Sequence, residues 1–160
     1  MTGAKAQASG DRRAARLAAV QALYQLDIAG GETEQVISEF AAHRLPSRGG
    51  RMAPDEALFA DLVRGGVDQR EALDALVAAK LTQAWTMERL PTTMRALLRA
   101  AAHEIRSHGE IPPQVTISEY VDIARGFFED QEIGFVNGVL DRIARELRGA
   151  EMAVAKREGA

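Results

Sequence analysis

Apolar residues recur at the three- to four-residue spacing of an α-helix along most of this chain, and no segment alternates as a strand would. All five prolines lie between the periodic segments, where they do not interrupt a helix. No internal repeat of fixed period appears, so a solenoid is not expected. The sequence therefore predicts an all-α fold, a compact helical bundle of about six to seven helices in two packed halves.

The same periodicity sets the predicted domain boundaries. Residues 1–10 are small and polar, and we expect them to form a disordered N-terminal arm. The helical domain covers 11–148, with an N-terminal half at about 11–82 and a C-terminal half at about 83–148. Residues 149–160 are expected to form a flexible tail.

Two predicted helices of the N-terminal half carry specific expectations. The first runs from an N-cap at Asp11 to about Ala29. Its buried face is expected to hold four side chains at helical spacing: Leu17, Val20, Tyr24 and Ile28. A later long helix begins at Pro54, and the pair Gly65 and Gly66 within it indicates either a kink or a close helix crossing.

Two polar patterns lie in the C-terminal half. Three arginines share one face of a predicted helix, with His103 alongside: Arg95, Arg99 and Arg106. A solvated basic stripe is the favoured interpretation, with a binding surface as the alternative. Further along, Thr116 and Glu119 have the spacing of a capping box, which predicts the start of another helix at Thr116.

The segment Phe135–Asp141, which reads Phe-Val-Asn-Gly-Val-Leu-Asp, opens the last predicted helix. Phe135 lies at the edge of an apolar stripe that has five further members: Val136, Val139, Leu140, Ile143 and Leu147. Asp141 and Arg145 have the spacing of an ion pair along one helix. Glycine is costly inside a helix, so Gly138 predicts the close approach of another backbone.

Composition describes an ordinary globular protein, with 46% hydrophobic and 27% charged residues. No run of about 18 apolar residues is present, and the first ten residues lack the apolar core of a signal peptide. The chain has no cysteine, which excludes disulfides and thiolate metal sites. These features predict a cytoplasmic protein that makes no membrane contact.

Charge is distributed unevenly along a chain whose net charge is −3. Residues 1–26 contain a single acidic residue, Asp11, and four basic residues: Lys5, Arg12, Arg13 and Arg16. This end therefore carries +3, which leaves −6 for the remainder. The pattern is compatible with a phosphate-binding surface on an acidic body, and equally with a solubilising end.

No pattern of reactive residues is found. The chain has no P-loop and no Gly-x-Gly-x-x-Gly segment. His43, His103 and His108 lack the His-Glu-x-x-His context of a zinc site, and the acidic stretch 129–132 lacks the spacing of a calcium loop. No serine or threonine lies in a nucleophile elbow. The sequence predicts a binding module, not an enzyme, with no cofactor, metal or small-molecule substrate.

Several segments, taken together, resemble the NusB family of bacterial transcription antitermination factors. They occur in the family's order and spacing: Arg12–Gln25, Phe59–Val67, Trp85, Leu97–Ile105, Ile117–Ala124 and Phe135–Asp141. Each segment alone is a weak signal, but the set covers nearly the whole chain and is specific. The resemblance implies an all-helical protein without enzymatic activity.

The resemblance also implies a function and its partners. Members of the family bind the boxA element of ribosomal RNA leaders together with NusE, a ribosomal protein of the small subunit. The complex joins other Nus factors on RNA polymerase and suppresses premature termination. By resemblance, the RNA-binding residues would be Lys5, Arg12, Arg13, Arg16 and Phe135. NusE would dock on the first helix near Tyr24 and on the helix from about Met94.

The residue chemistry is compatible with this reading. Three arginines on one helical turn would track phosphates, and Phe135 would offer an aromatic face to a base, with core packing as its alternative. About three neutralised phosphates predict a log–log salt slope near −2 for single strands. Glu132 and Gly134 stand where many family members carry a hydroxyl and a basic residue. The arginines of the 45–54 loop would then be extra RNA contacts, or only part of a solvated loop.

Two further hypotheses remain open from the sequence. A NusB-like helical domain also forms the N-terminal part of some ribosomal RNA cytosine methyltransferases, although this chain has no motif for S-adenosylmethionine. The other hypothesis is a stand-alone helical adaptor that binds only protein. RNA-dependent strengthening of NusE binding would distinguish the antitermination factor from the adaptor.

Overall fold

A computed structural model describes residues 2–45, 55–82 and 84–158, with side chains from residue 10 to 154 within these ranges. The described residues form helices and connecting turns without a strand, so the predicted all-α class is confirmed. They contain eight α-helices and a short 3-10 turn at Met87–Arg89. The helices are α1 (Thr2–Ala29), α2 (Thr33–His43), α3 (Glu56–Asp68), α4 (Arg70–Ala78), α5 (Thr92–Ser107), α6 (Pro113–Arg125), α7 (Asp130–Leu147) and α8 (Gly149–Glu158).

Helix α5 is the centre of the bundle and packs against α1, α3, α4, α6 and α7. Every residue from Ala96 to Ile105 is buried, and alanines at 100–102 allow neighbouring helices to come close. The predicted solvated stripe on this helix is therefore wrong for Arg99, which is buried. An arginine in such a position needs carboxylates from other helices, and α5 receives them from α1 and α4.

Both chain ends are more helical than the sequence predicted. Helix α1 begins at Thr2 and runs through the residues expected to form a disordered arm. Asp11 is therefore a buried residue within the helix and not its N-cap. At the other end, α8 occupies most of the expected flexible tail, and its Met152 is buried. Arg148 fixes the start of α8 by donating hydrogen bonds to the carbonyl oxygens of Gly109 and Ile111, at 3.0 and 2.8 Å.

The glycine pair in α3 marks a close helix crossing and not a kink. Gly65 and Gly66 lie inside α3, and the helix is interrupted only later, at Gln69, between α3 and α4. A Cβ atom on Gly65 would overlap the imidazole ring of His103 on α5. A Cβ on Gly66 would lie 2.9 Å from the side-chain methyl groups of Leu23 on α1. The missing side chains let α3 approach two helices at once.

The predicted capping box at Thr116 and Glu119 is wrong. Helix α6 begins at Pro113, so Thr116 lies inside it, buried, with its hydroxyl directed at Glu104. A capping box does occur at the start of α7, between Glu129 and Glu132. There the backbone N–H of Glu129 donates to the Glu132 carboxylate at 3.0 Å.

Helix α7 confirms its predicted stripe, with four members fully enclosed: Val136, Val139, Leu140 and Ile143. The predicted Asp141–Arg145 ion pair is present at 2.8 Å. The expectation for Gly138 was wrong, because the nearest atoms to a Cβ there would belong to Arg142, with Nη1 at 3.3 Å. The glycine leaves room for Arg142, whose Nε donates to the carbonyl oxygen of Lys80 at 3.1 Å.

Candidate functional site

The inner face of α1 contains a buried ion pair. Nε and Nη2 of Arg16 donate to the two carboxylate oxygens of Glu104 on α5, at 2.9 and 2.7 Å. The side chain of Arg16 is 2% exposed and that of Glu104 is fully buried. The Tyr120 hydroxyl donates to the same carboxylate at 3.0 Å, and Thr116 contributes a longer bond. Charge pairing and hydrogen bonding together satisfy this interior carboxylate.

Arg16 is therefore part of the interior and does not present its guanidinium to RNA. Burial lowers the pKa of Arg16, but the hydrogen bond and the charge of Glu104 raise it by more. The pKa is therefore above its usual value, and the guanidinium stays charged. Burial, aided by the charge of Glu104, raises the pKa of Tyr120 well above its usual range. Tyr120 therefore remains a neutral hydrogen-bond donor.

The outer face of α1 presents Arg13 at the surface. The Arg13 side chain is 57% exposed, and its Nε and Nη2 donate to the Glu119 carboxylate on α6 at 2.9 and 3.2 Å. That bond is the main cause of the lowered pKa of Glu119, and Arg12 contributes through its charge. Arg12 is half-buried. The structure thus exposes Arg13, leaves Arg12 half-buried and encloses Arg16.

An apolar groove extends along the same outer face, and we call it the α1 groove. It lies between α1, the end of α2, the start of α5 and the end of α6. Its large apolar side chains are exposed: Leu17, Tyr24, Ile28 and Phe127. The predicted buried face of α1 is therefore wrong except at Val20, which is enclosed. Exposed apolar side chains grouped in this way are typical of a surface that binds another protein.

The two predicted partner-binding residues have different environments. Tyr24 lines the α1 groove and is accessible, as predicted for a contact residue. Met94 is completely buried in the core, so it cannot meet a partner directly. Its neighbour Thr93 lines the groove instead, because adjacent residues of a helix point about 100° apart.

Phe135 is partly buried and packs on Trp85, with ring centroids 4.9 Å apart and a 32° tilt between the rings. It makes no hydrogen-bond, ion-pair or ring contact with Arg12 or Arg13 among the described residues. The Phe135 ring thus packs on Trp85, and part of its surface remains accessible to solvent. The Lys5 side chain and the arginines of the predicted 45–54 loop lie outside the described residues.

A second buried arginine was not anticipated. Arg99 Nε donates to Asp74 at 2.8 Å, and its Nη1 donates to Asp27 at 3.0 Å. Burial lowers the pKa of Arg99, but the two carboxylates raise it above its usual value. The available signal was a pair of charged residues, Arg99 and Glu104, flanking an alanine-rich stretch of the central helix.

The helical architecture agrees with the resemblance drawn from the sequence, and comparison with known proteins shows the family. A family model described as NusB family matches residues 13–145, which is most of the chain. The chain belongs to the NusB family.

Individual members of the NusB family are similar over nearly their full length. The transcription antitermination protein NusB of Caulobacter vibrioides is 47% identical over 140 residues, covering 86% of this chain and 94% of its own. Among solved structures, T. maritima NusB superposes with a TM-score of 0.76 at 29% identity, covering 89% of this chain and 96% of its own. The predicted NusB family and fold are thereby confirmed.

A NusB fold is also present in a crystal structure of antitermination factors NusB and NusE in complex with dsRNA. That chain matches with a TM-score of 0.71 at 23% identity, and the match covers 84% of this chain and 96% of that one. At this identity the likeness concerns the fold alone. Within the described residues, no helix is both long enough and apolar enough to cross a membrane.

Proposed function

We propose that this chain is a transcription antitermination factor that binds boxA-type single-stranded RNA of ribosomal RNA leaders together with NusE. In this role it promotes processive ribosomal RNA transcription with other Nus factors and RNA polymerase. It acts in the cytoplasm, by binding and without catalysis. The proposal rests on family membership and on one observation, the exposed Arg13 at the edge of the α1 groove.

The arrangement of charge supports RNA binding at the start of α1. Arg13 holds Glu119 through an ion pair whose guanidinium is 57% exposed, and ion pairs that water reaches are weak because water screens them. A phosphate can therefore replace the carboxylate at little cost. With Arg16 excluded, two α1 cations with described side chains remain for RNA, Arg12 and Arg13. Two such contacts predict a salt slope of about −1.4.

The α1 groove supports the second half of the proposal, the docking of NusE. Tyr24, Ile28 and Phe127 expose apolar surface next to the cationic edge that Arg13 forms. A protein seated there would hold the RNA and this chain together. Two weak contacts joined in this way bind more tightly than either alone, because the second becomes intramolecular. Single-strand binding by two arginines would then be sufficient in the complex.

A mobility-shift series with a boxA-like RNA tests the RNA contact. We expect Arg13→Ala to weaken binding at low salt and to reduce the steepness of the salt slope by about 0.7, the loss of one phosphate contact. Arg64→Ala is the matched control, because Arg64 is also exposed and paired to a carboxylate, Glu34, at 2.7 Å. Equal affinities for the two variants would contradict the proposed RNA surface.

The same series with NusE tests the partner surface. Tyr24→Ala should weaken NusE binding and remove the strengthening of RNA binding that NusE provides. Val115→Ala, which changes an exposed apolar side chain outside the α1 groove, is the control. NusE binding that is unaffected by RNA would favour the helical adaptor. An unchanged affinity of Tyr24→Ala would contradict the assignment of the α1 groove.

A further inference from the structure

Two histidines and an aspartate from separate segments converge on one point of the surface. Nε2 of His103 on α5 lies 3.1 Å from Oδ2 of Asp61 on α3. Nε2 of His108, just after the end of α5, lies 2.7 Å from the same oxygen. One candidate ligand atom from each of the three residues lies within 4.8 Å of the other two. We call this group the His–Asp cluster.

Each imidazole of the His–Asp cluster is oriented by a second partner on its other nitrogen. Nδ1 of His103 is 3.4 Å from the Ser107 hydroxyl, and Nδ1 of His108 is 3.1 Å from a carboxylate oxygen of Glu110. Both rings therefore direct Nε2 inward. Metal-binding histidines have this arrangement, in which a hydroxyl, carbonyl or carboxylate holds the outer nitrogen and fixes the ring.

The packing gives the cluster one rigid and one open side. The His103 ring is buried and fills the space left by the absent side chain of Gly65. The Asp61 side chain is 48% exposed, and that of His108 is 20% exposed. An ion could enter from solvent and keep a water molecule in its fourth position. A site with three protein ligands and one open position is a common arrangement for zinc.

We propose that Asp61, His103 and His108 form a binding site for a divalent transition-metal ion of the zinc class. Zinc accepts imidazole nitrogen and carboxylate oxygen at about 2.0–2.2 Å, so tetrahedral ligands stand roughly 3.3 Å apart. The two contacts of Asp61, at 3.1 and 2.7 Å, are close to that spacing, and all three atoms lie within 4.8 Å of one another. Two imidazoles favour zinc over calcium or magnesium, which prefer all-oxygen sites.

A bound ion would connect two parts of the bundle that are distant in the chain. Asp61 belongs to α3, while His103 and His108 belong to α5 and the turn that follows it. The ion would bind the folded chain and not the unfolded one, so it would raise the thermal stability. Zinc at roughly one hundred times its dissociation constant should raise Tm by about 5–10 °C.

Titration of the tag-free, chelator-treated full chain with Co²⁺ tests this site. Cobalt(II) replaces zinc and reports tetrahedral coordination by an intense visible absorption. We expect uptake of one ion per chain, displacement by Zn²⁺, and loss of the band in both His108→Gln and Asp61→Asn. The exposed His43 lies outside the cluster, so His43→Gln is the matched control and should bind as the wild type does.

The zinc-induced rise in Tm gives a second, independent reading. It should appear in the wild type and in His43→Gln, and be absent from His108→Gln, whose fold is checked by far-UV circular dichroism. Absence of cobalt uptake by the wild type would overturn the proposal, as would equal uptake by the wild type and His108→Gln. Either result would make the cluster a hydrogen-bonded network that stabilises the crossing of α3 and α5. RNA binding at Arg13 is tested separately, so neither proposal decides the other.

Discussion

The inner and outer faces of α1 place the same residue types in opposite environments. On the inner face, Arg16 and Leu23 are buried, the first against Glu104 and the second against Gly66 of α3. On the outer face, Arg13 and Leu17 are exposed beside the α1 groove. The two arginines are less than one helical turn apart. Their difference shows that a cationic stretch in a sequence can be divided between the core and a binding surface.

The physical reason is the environment of each ion pair. Water reaches the Arg13 side of the Arg13–Glu119 pair, so the guanidinium can exchange the carboxylate for another anion. The Arg16–Glu104 pair is out of water, and removal of one partner leaves a buried charge without compensation. The inner face should therefore dominate stability, and the outer face should dominate binding. Three comparisons test this contrast, from the largest expected effect to the smallest.

Glu104→Gln should have the largest effect. It keeps the side-chain volume but removes the charge that balances Arg16, so the free energy of unfolding should fall by about 3–5 kcal/mol. Urea denaturation measures the change. Glu119→Gln is the same substitution on the outer face, and its free energy of unfolding should fall far less. Equal losses for the two variants would refute the contrast between the faces.

Leu23→Ala and Leu17→Ala compare the faces without any change in charge. Leu23 is enclosed, so its truncation should cost about 2–5 kcal/mol of unfolding free energy. Leu17 is exposed, and its truncation should cost only about 0.5 kcal/mol. The change in helix propensity is the same for the two variants, because both replace leucine by alanine within α1. For NusE affinity, Leu17→Ala should cause the larger loss. Both affinities are measured well below the Tm of Leu23→Ala. A larger loss of affinity in Leu23→Ala would show that the groove has no role.

Glu119→Gln should have the smallest effect, and this effect should be a gain in RNA affinity where the other substitutions cause losses. It frees Arg13 from its carboxylate, so affinity for boxA-like RNA should rise roughly two- to fivefold at low salt. Because Arg13 lowers the pKa of Glu119, the wild-type carboxylate is charged throughout neutral pH. The gain should therefore be the same at pH 6 and pH 8. A decrease in affinity would mean that Glu119 positions Arg13 for RNA instead of competing for it.

The errors at the starts of α6 and α8 have one origin. The sequence indicated where helices are possible, but residues elsewhere in the chain decided these two bounds. Arg148 binds carbonyl oxygens that lie about forty positions earlier, and Met152 is buried against the bundle. In the same way, Thr116 had the spacing of a cap but lies inside α6, where Glu104 accepts its hydroxyl hydrogen bond.

The sequence by itself determined the helical class, the NusB family and the buried stripe of α7, because these depend on local periodicity and on ordered motifs. Tertiary structure decided which side of α1 meets water, and hence that Arg16 is a core residue. Arg16 and Glu104 are 88 positions apart, and His103 and Asp61 are 42 apart. A helical period puts residues on a common face, but only the helices that pack there determine whether that face is buried. Partners that far apart in the chain leave no local pattern to read.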